Sequence, residues 1–309
     1  MNLRKIRPYI KMLRFDSWQG WMFIFLFGSI LFDIPQLDRL ALVLFSFCLA
    51  TSGIFILNQY IDYEDDKKNY LKKDLPIASG HIRPITGLVV SCVFILISLI
   101  GAFLSSLSLF ILFSVYIFLW INYSTPPICF KQRPLLDIII CGFGSGVLPF
   151  LMGLQISSQL SLDFTSVWMI RRYQDAFFVA VPLFLVQSAG QLFQVAGDYE
   201  ADLVAQIDTF AVKYGKKNSL MLTSVFLLIT INLPVLYEFL NLSLIPYLSW
   251  YLFVYLVSIP FLFYLVYKIN SPSEKTFKKL RIMSKRVGGV LLLVIFLYVF
   301  FVRLLYTGQ

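Results

Sequence analysis

Charge is scarce in this chain, and histidine is almost missing. Charged residues make up 14% of 309 positions, and His81 is the only histidine. A soluble protein of this size needs a far more polar surface, so the low charge excludes an ordinary globular domain. One imidazole excludes a histidine-based metal centre and a Ser-His-Asp triad. Cysteine is sparse too. Cys48, Cys92, Cys129 and Cys141 have no paired spacing, which argues against a disulfide or zinc set and for small apolar packers. Alternating segments of about ten residues, the mark of a transmembrane β-barrel, are also missing. What is abundant is apolar: 59% hydrophobic residues, 17% aromatic, and a mean hydropathy of +0.78. The composition predicts an all-α, polytopic membrane protein.

A helix takes about 20 apolar residues to cross a bilayer. Nine runs qualify, near 18–35, 40–61, 85–104, 107–123, 134–156, 176–196, 219–238, 243–268 and 287–306. The first follows basic residues like a signal peptide, but it ends in "LFDIPQLDRL" without a small-residue cleavage pattern and is kept as a helix. Basic residues collect in the N-terminal tail and in alternate connections, 62–84, 124–133, 197–218 and 268–286. Of the 26 Lys and Arg, only Arg39, Arg171, Arg172 and Arg303 fall elsewhere. The positive-inside rule then predicts a cytoplasmic N-terminus and an outer C-terminus. It also accounts for the net charge of +9 without nucleic acid as a partner. The 157–175 segment, with Trp168, Arg171 and Arg172, is expected as an outer interfacial helix, and basic 270–286 as a strip on anionic lipid.

Nine of the 17 acids sit in two short stretches. One holds Asp62, Glu64, Asp65, Asp66 and Asp74, and the other Asp198, Glu200, Asp202 and Asp208. Each directly follows an even-numbered span. Positions i, i+4 and i+8 share a helix face. Asn58, Asp62 and Asp66 have that spacing, and Gln194, Asp198 and Asp202 repeat it 136 residues later. Glu64, Asp65, Asp74 and Asp208 read as solvated helix ends balanced by lysines. The repeated triplets fit that reading poorly, because ionised groups at the edge of a span are costly and usually mark a functional path. Oxygen ligands without Cys or His suit Mg2+, which takes a few carboxylates with water and substrate phosphate. Lys72, Lys73, Lys131, Arg133 and Lys213 surround the same membrane face. Each alone also serves topology. Together with the acids they could hold bridged Mg2+ ions and a diphosphate. Diphosphate at the mouth of an apolar bundle implies a substrate with an anionic head and a long apolar tail, such as a polyprenyl diphosphate.

In these residues the chain resembles the UbiA superfamily of intramembrane prenyltransferases over nearly its whole length. The motif N-x-x-x-D-x-x-x-D falls on Asn58, Asp62 and Asp66, with "LPIASG" (75–80) closing the loop. The motif D-x-x-x-D falls on Asp198 and Asp202, and "YSTPP" with Lys131 lies between the fourth and fifth spans. The resemblance implies one UbiA-type domain over 1–309, a nine-helix bundle with two parallel pseudo-repeats, roughly 15–156 and 157–309. It also implies Mg2+-dependent prenyl transfer, with the following roles. Asn58, Asp62, Asp66, Asp198 and Asp202 hold two ions. Asn58, Lys72, Lys73, Ser124, Lys131, Arg133, Gln194 and Lys213 hold diphosphate. Tyr123, which could also be an interfacial anchor, faces the allylic cation at the apolar tunnel, and its ring favours it. "NQ" at Asn58-Gln59 and "DYEAD" with "IDTFAVKYGKK" (198–217) are similar to the homogentisate prenyltransferase branch, implying an aromatic, quinone-precursor-like acceptor. Two extra residues between Asn69 and Leu75, and no arginine near Ser145, depart from it. The alternatives are a non-aromatic lipid acceptor (glycerol phosphate, carotenoid, tetrapyrrole), a non-catalytic binder and a cation-coupled transporter, the last of which predicts inverted repeats with acids at mid-membrane.

Overall fold

Proline and serine set many of the helix boundaries. Pro84 and Pro134 each occupy a first helical turn, where their missing N–H leaves no bond unmade. Ser106 is extended (φ −174°, ψ 157°). It ends one helix and caps the next, its hydroxyl accepting from the Leu109 N–H at 3.2 Å. Thr125 precedes the cis Pro126–Pro127 pair and takes the extended conformation that a following proline imposes, so the helix before it stops.

The computed structural model describes residues 3–68, 72–157 and 167–240, together with Leu297 and Phe301. Within these, the helices are α1 (Leu3–Met12), α2 (Phe15–Ile30), α3 (Leu37–Ile61), α4 (Tyr63–Lys68), α5 (Pro84–Ser105) and α6 (Leu107–Ser124). They continue as α7 (Pro134–Gly142), α8 (Leu148–Ser157), α9 (Val167–Gly197), α10 (Tyr199–Val204), α11 (Phe210–Tyr214) and α12 (Lys216–Phe239). A 3-10 turn covers Phe130–Gln132, and a π turn, Phe143–Val147, joins α7 to α8 through the glycine-rich "GFGSG". No strand occurs among the described residues.

Among the described residues, five segments are long and apolar enough to cross a membrane: Leu37–Ile61, Pro84–Ser105, Leu107–Ser124, Pro134–Ile156 and Tyr173–Gly197. The run expected at 18–35 is helical only as far as Ile30. α2 has 16 residues, about 24 Å at 1.5 Å per residue. α12 is a helix of 24 residues where the seventh span is expected. The runs near 243–268 and 287–306, and the basic 270–286 strip, lie outside the described residues apart from Leu297 and Phe301. The outer interfacial helix is corrected in part. From Val167 the chain is already the first turns of the 31-residue α9, because no proline or glycine interrupts it until Pro182.

The chain divides into two units, Met1–Phe130 with Leu151–Ser158, and Lys131–Phe150 with Gln159–Gln309. In the first, α3 is central. Half of its apolar window is buried, against 28% for α5 and for α6, whose outer faces carry Val93, Leu96, Phe103, Ile111 and Phe118. Apolar side chains outside and small polar ones between helices are the arrangement lipid requires. α3 and α5 meet through small residues. A Cβ on Gly53 would lie 3.2 Å from the Ser91 carbonyl oxygen, and the Ser91 hydroxyl donates to the Gly53 carbonyl at 2.8 Å. Phe25, Phe47 and Tyr116 form the buried centre, ring to ring at 5.0 and 5.8 Å. The Tyr116 and Thr51 hydroxyls meet at 3.0 Å. In the second unit α9 packs on α7 and α12, around Ile138, Leu192, Val195, Phe210 and Ala211.

Candidate active site

α3 is continuous for 25 residues until the first acidic motif interrupts it. At Asp62 the backbone turns to φ −93°, ψ 7°, and the six-residue α4 follows. The i to i−4 bonds survive the break: the Asp62 N–H donates to the Asn58 carbonyl at 2.9 Å, and the Asp66 N–H to the Asp62 carbonyl at 2.8 Å. The second motif repeats this locally. α9 ends at Asp198 with φ −91°, ψ 3°, and the six-residue α10 follows. The Asp198 N–H donates to the Gln194 carbonyl and the Asp202 N–H to the Asp198 carbonyl, both at 2.9 Å. The spacing reading assumed an unbroken helix. The chain instead breaks at the middle acid of both motifs and keeps the face by retaining the bonds.

In the first unit the Asn58 amide donates to Asp62 Oδ2 at 2.9 Å and to the Ser124 hydroxyl at 2.7 Å. With both amide hydrogens engaged, the Asn58 carbonyl oxygen is the side-chain atom that could serve as a ligand. Ser124 is buried at the end of α6, so it meets the motif by supporting Asn58. Asp66 is 4% exposed and lies 3.6 Å from the Lys72 ammonium. Burial pushes its carboxyl above the usual carboxylate range; Lys72 opposes this, the Asp62 charge adds to it, and Arg14 opposes it. Two carboxylates that repel each other, one of them desolvated, form an environment that a divalent cation relieves. Lys73 is exposed. Glu64 pairs with Lys67 at 3.0 Å, in keeping with a solvated helix end.

A chain of aromatic rings runs beside Asn58. Phe55, one turn earlier on α3, lies 5.4 Å from Trp21; Trp21 stacks on Trp120 at 4.8 Å; and Trp120 meets Tyr123 at 5.2 Å. All four rings are half-buried. Sequence reading singles out Tyr123 and misses the others, since Trp21 on α2 and Trp120 on α6 have three helices between them.

In the second unit the Thr209 hydroxyl donates to Asp202 Oδ2 at 3.1 Å. Asp198 and Asp202 are half-buried and Gln194 is exposed. Lys131, on the 3-10 turn, is half-buried, and Arg133 is exposed. Lys213 is exposed, its ammonium 5.7 Å from the Tyr214 ring. Asp137, overlooked in the sequence although it is an ionisable group inside a span, is fully buried. The Gln191 amide donates to its two oxygens at 2.9 and 3.2 Å. The pair ties α7 to α9 one turn before Gln194.

Among the described residues no three His, Cys, Asp or Glu side chains gather as a self-sufficient metal cluster. One or two carboxylates with neutral oxygens, completed by water and a ligand's phosphate, is a donor set that suits Mg2+.

The chain is similar to several known proteins. The digeranylgeranylglyceryl phosphate synthase of Methanosphaera stadtmanae is 26% identical over 277 residues, covering 89% of this chain and 93% of that protein. The protoheme IX farnesyltransferase of Leptospira biflexa is 29% identical over 157 residues, 49% of this chain and 53% of its own length. A UbiA homolog from Archaeoglobus fulgidus, solved with GPP and Mg2+, has a TM-score of 0.73 at 20% identity over 96% of this chain and 99% of that one. The model of the UbiA prenyltransferase family matches residues 21–285. Five apolar helices and that match make this an integral membrane protein. The transport alternative falls with them, because the chain belongs to the UbiA prenyltransferase family and is a prenyltransferase.

Proposed function

We propose that the protein transfers a polyprenyl group from its diphosphate to an aromatic, lipid-soluble acceptor within the membrane, in a Mg2+-dependent reaction that releases diphosphate. The observation that carries this reading is the pair of matched helix breaks, each placing a carboxylate at the end of a long helix and a second one a turn later. Asn58, Asp62, Asp66, Asp198 and Asp202 would hold two ions. Bound there, Mg2+ supplies charge neutralisation for the departing diphosphate. Lys72, Lys73, Ser124, Lys131, Arg133, Gln194 and Lys213 would complete the diphosphate site. Of these, Lys72 is already drawn to Asp66.

The reaction breaks the bond between prenyl C1 and the diphosphate oxygen, whose electrons leave with the diphosphate. The allylic cation then takes an electron pair from the acceptor, and the acceptor loses a proton. Positive charge spread over the allyl unit is favoured by aromatic faces, and Tyr123 and its neighbours Trp120, Trp21 and Phe55 provide them. Their apolar surroundings keep water from trapping the cation. The proposal includes nine spans, a cytoplasmic N-terminus, a site on the cytoplasmic side, and one domain built of two parallel pseudo-repeats (15–156 and 157–309).

A non-aromatic lipid acceptor is the second reading. It is supported by the glyceryl phosphate named in the Methanosphaera relative and by the missing arginine near Ser145, whose hydroxyl hydrogen-bonds Gln187 Oε1 at 3.2 Å. Purified protein is to be incubated with Mg2+, labelled geranylgeranyl diphosphate and a panel of phenolic and lipid-alcohol acceptors. Diphosphate release with a phenol is the expected result, and release only with an alcohol selects the second reading. Asp62→Asn and Asp198→Asn should fold and be inactive. Unchanged turnover in both rejects the site.

A further inference from the structure

α9 is polar along one row where a membrane span is expected to be apolar. Counting back from Asp198, Gln194, Gln191 and Gln187 follow at spacings of four, three and four residues, which keeps them on one helix face. Gln187 lies 11 positions from Asp198, about 16 Å along the axis and well inside the span Tyr173–Gly197. The Gln191 amide is committed to the buried Asp137. Gln187 is held differently. Its Oε1 accepts from the Ser145 hydroxyl at 3.2 Å, a hydroxyl that also donates to the Cys141 carbonyl, and among the described residues its amide nitrogen has no partner.

The π turn that carries Ser145 fixes this amide. Gly146 of that turn packs so closely on α9 that a Cβ there would lie 2.7 Å from the Leu183 carbonyl oxygen and 3.1 Å from Gln187 Cγ. Such turns occur often at functional sites. Three residues further along α9 the same face opens. Gly190 is exposed, and a Cβ on it would meet no neighbouring group within 4 Å among the described residues. An oriented amide thus stands beside an open gap, inside a membrane span.

Lipid tails do not suit that place, because hydrocarbon offers an N–H no partner. A prenyl tail is no better, having no oxygen. An anion is not favoured either: Gln187 to Gly197 contain no Lys or Arg, and the titratable group bonded to this face, Asp137, is an acid. A neutral molecule with a hydroxyl or carbonyl oxygen fits both the amide and the gap. We propose that Gln187 and the gap at Gly190 hold the neutral, oxygen-bearing end of the prenyl acceptor, with Gln187 as a specificity-determining residue. This rests on the aromatic-acceptor reading and on the second motif as part of the donor site. Gln187 and Gln194 are seven residues apart, about 10 Å along the axis. That leaves room for one aromatic ring between the amide and the diphosphate end of the site.

The test measures transfer from labelled geranylgeranyl diphosphate at saturating Mg2+ to hydroquinone, which is neutral, and to 4-hydroxybenzoate, which carries a carboxylate. Retention of the labelled donor without acceptor is measured alongside. The wild type should favour hydroquinone by about tenfold or more in kcat/KM, since the anion would be buried unpaired. Gln187→Leu should raise the KM for hydroquinone about tenfold, the loss of one hydrogen bond, with kcat and donor retention unchanged. Ser145 keeps the Cys141 carbonyl in that variant, so the fold should survive. Gly190→Leu fills the gap and should cut transfer by about tenfold or more. It should still retain donor and melt no lower than wild type, because leucine is the better helix former. Preference for 4-hydroxybenzoate, or wild-type kinetics in either variant, overturns the proposal and leaves the aromatic-acceptor reading standing. Loss of donor retention in either variant makes this face structural or part of the donor site, and also overturns it. Transfer to neither phenol by a wild type that retains donor overturns the aromatic-acceptor reading and this inference together.

Discussion

Removing the Ser124 hydroxyl tests whether that residue serves the ligand or serves Asn58. Ser124 is 4% exposed and accepts from the Asn58 amide at 2.7 Å, while the same amide donates to Asp62 at 2.9 Å. Ser124→Ala leaves Asn58 and Asp62 in place but frees the Asn58 side chain to rotate. A neutral hydrogen bond contributes about 0.5–1.5 kcal/mol, which is about a two- to twelvefold change in an equilibrium constant. Loss of a group that orients a metal ligand weakens metal affinity by about 10- to 100-fold. The structure therefore predicts that Ser124→Ala raises the Mg2+ concentration for half-maximal donor binding by about tenfold, with Ser124→Thr close to wild type. The assay is retention of labelled geranylgeranyl diphosphate by purified protein across a Mg2+ titration. A direct bond from Ser124 to diphosphate, as the family resemblance implies, would instead lower affinity at saturating Mg2+ and leave the midpoint alone. An unmoved midpoint would refute the supporting role.

Two further predictions concern the frame around the site. A Cβ on Gly153 would collide with the Phe25 carbonyl of α2 and come within 2.9 Å of the Ser29 N–H nitrogen. Both are backbone atoms that cannot step aside, so Gly153→Ala should destabilise the protein by at least the about 1–3 kcal/mol typical of overpacking, read as a lower melting temperature in detergent. Asp137→Leu strips the Gln191 amide of two buried acceptors at a cost of about 1–3 kcal/mol, whereas Asp137→Asn keeps one. The leucine variant should melt lower than the asparagine variant, and equal melting would sink the tie between α7 and α9.

How much of this was legible depended on how far apart the partners lie in the chain. Helix ends were readable where a local rule decides them, as at Pro84, Thr125 before Pro126, and Pro134. Asn58, Asp62 and Asp66 were readable because four-residue spacing expresses helix geometry directly. Contacts across long separations left no such trace. Ser124 reaches Asn58 over 66 positions, and Gln191 reaches Asp137 over 54. Lys72 and Lys73 are adjacent and identical in type, yet only Lys72 is drawn to Asp66, and loop geometry alone separates them. The helix breaks were hidden for a different reason. Asp62 turns the backbone with no proline or glycine beside it, so composition does not announce that turn, whereas at the second break Gly197 directly precedes Asp198.

That break is also where the chain departs from what stability favours. The C-terminal end of a helix carries partial negative charge, and cations belong there. α3 and α9 have no basic residue in their last turns; each is followed at once by an aspartate, then by a second one a turn later. The negative pole, the carboxylate at the break and the next carboxylate reinforce one another at the edge of an apolar span, where charge is least tolerated. One such end could be a local accident covered by a nearby lysine. Two, with backbone angles within a few degrees of each other, are the kind of local rule-breaking that persists for function. A small, hard, divalent cation brought from outside the chain would relieve both.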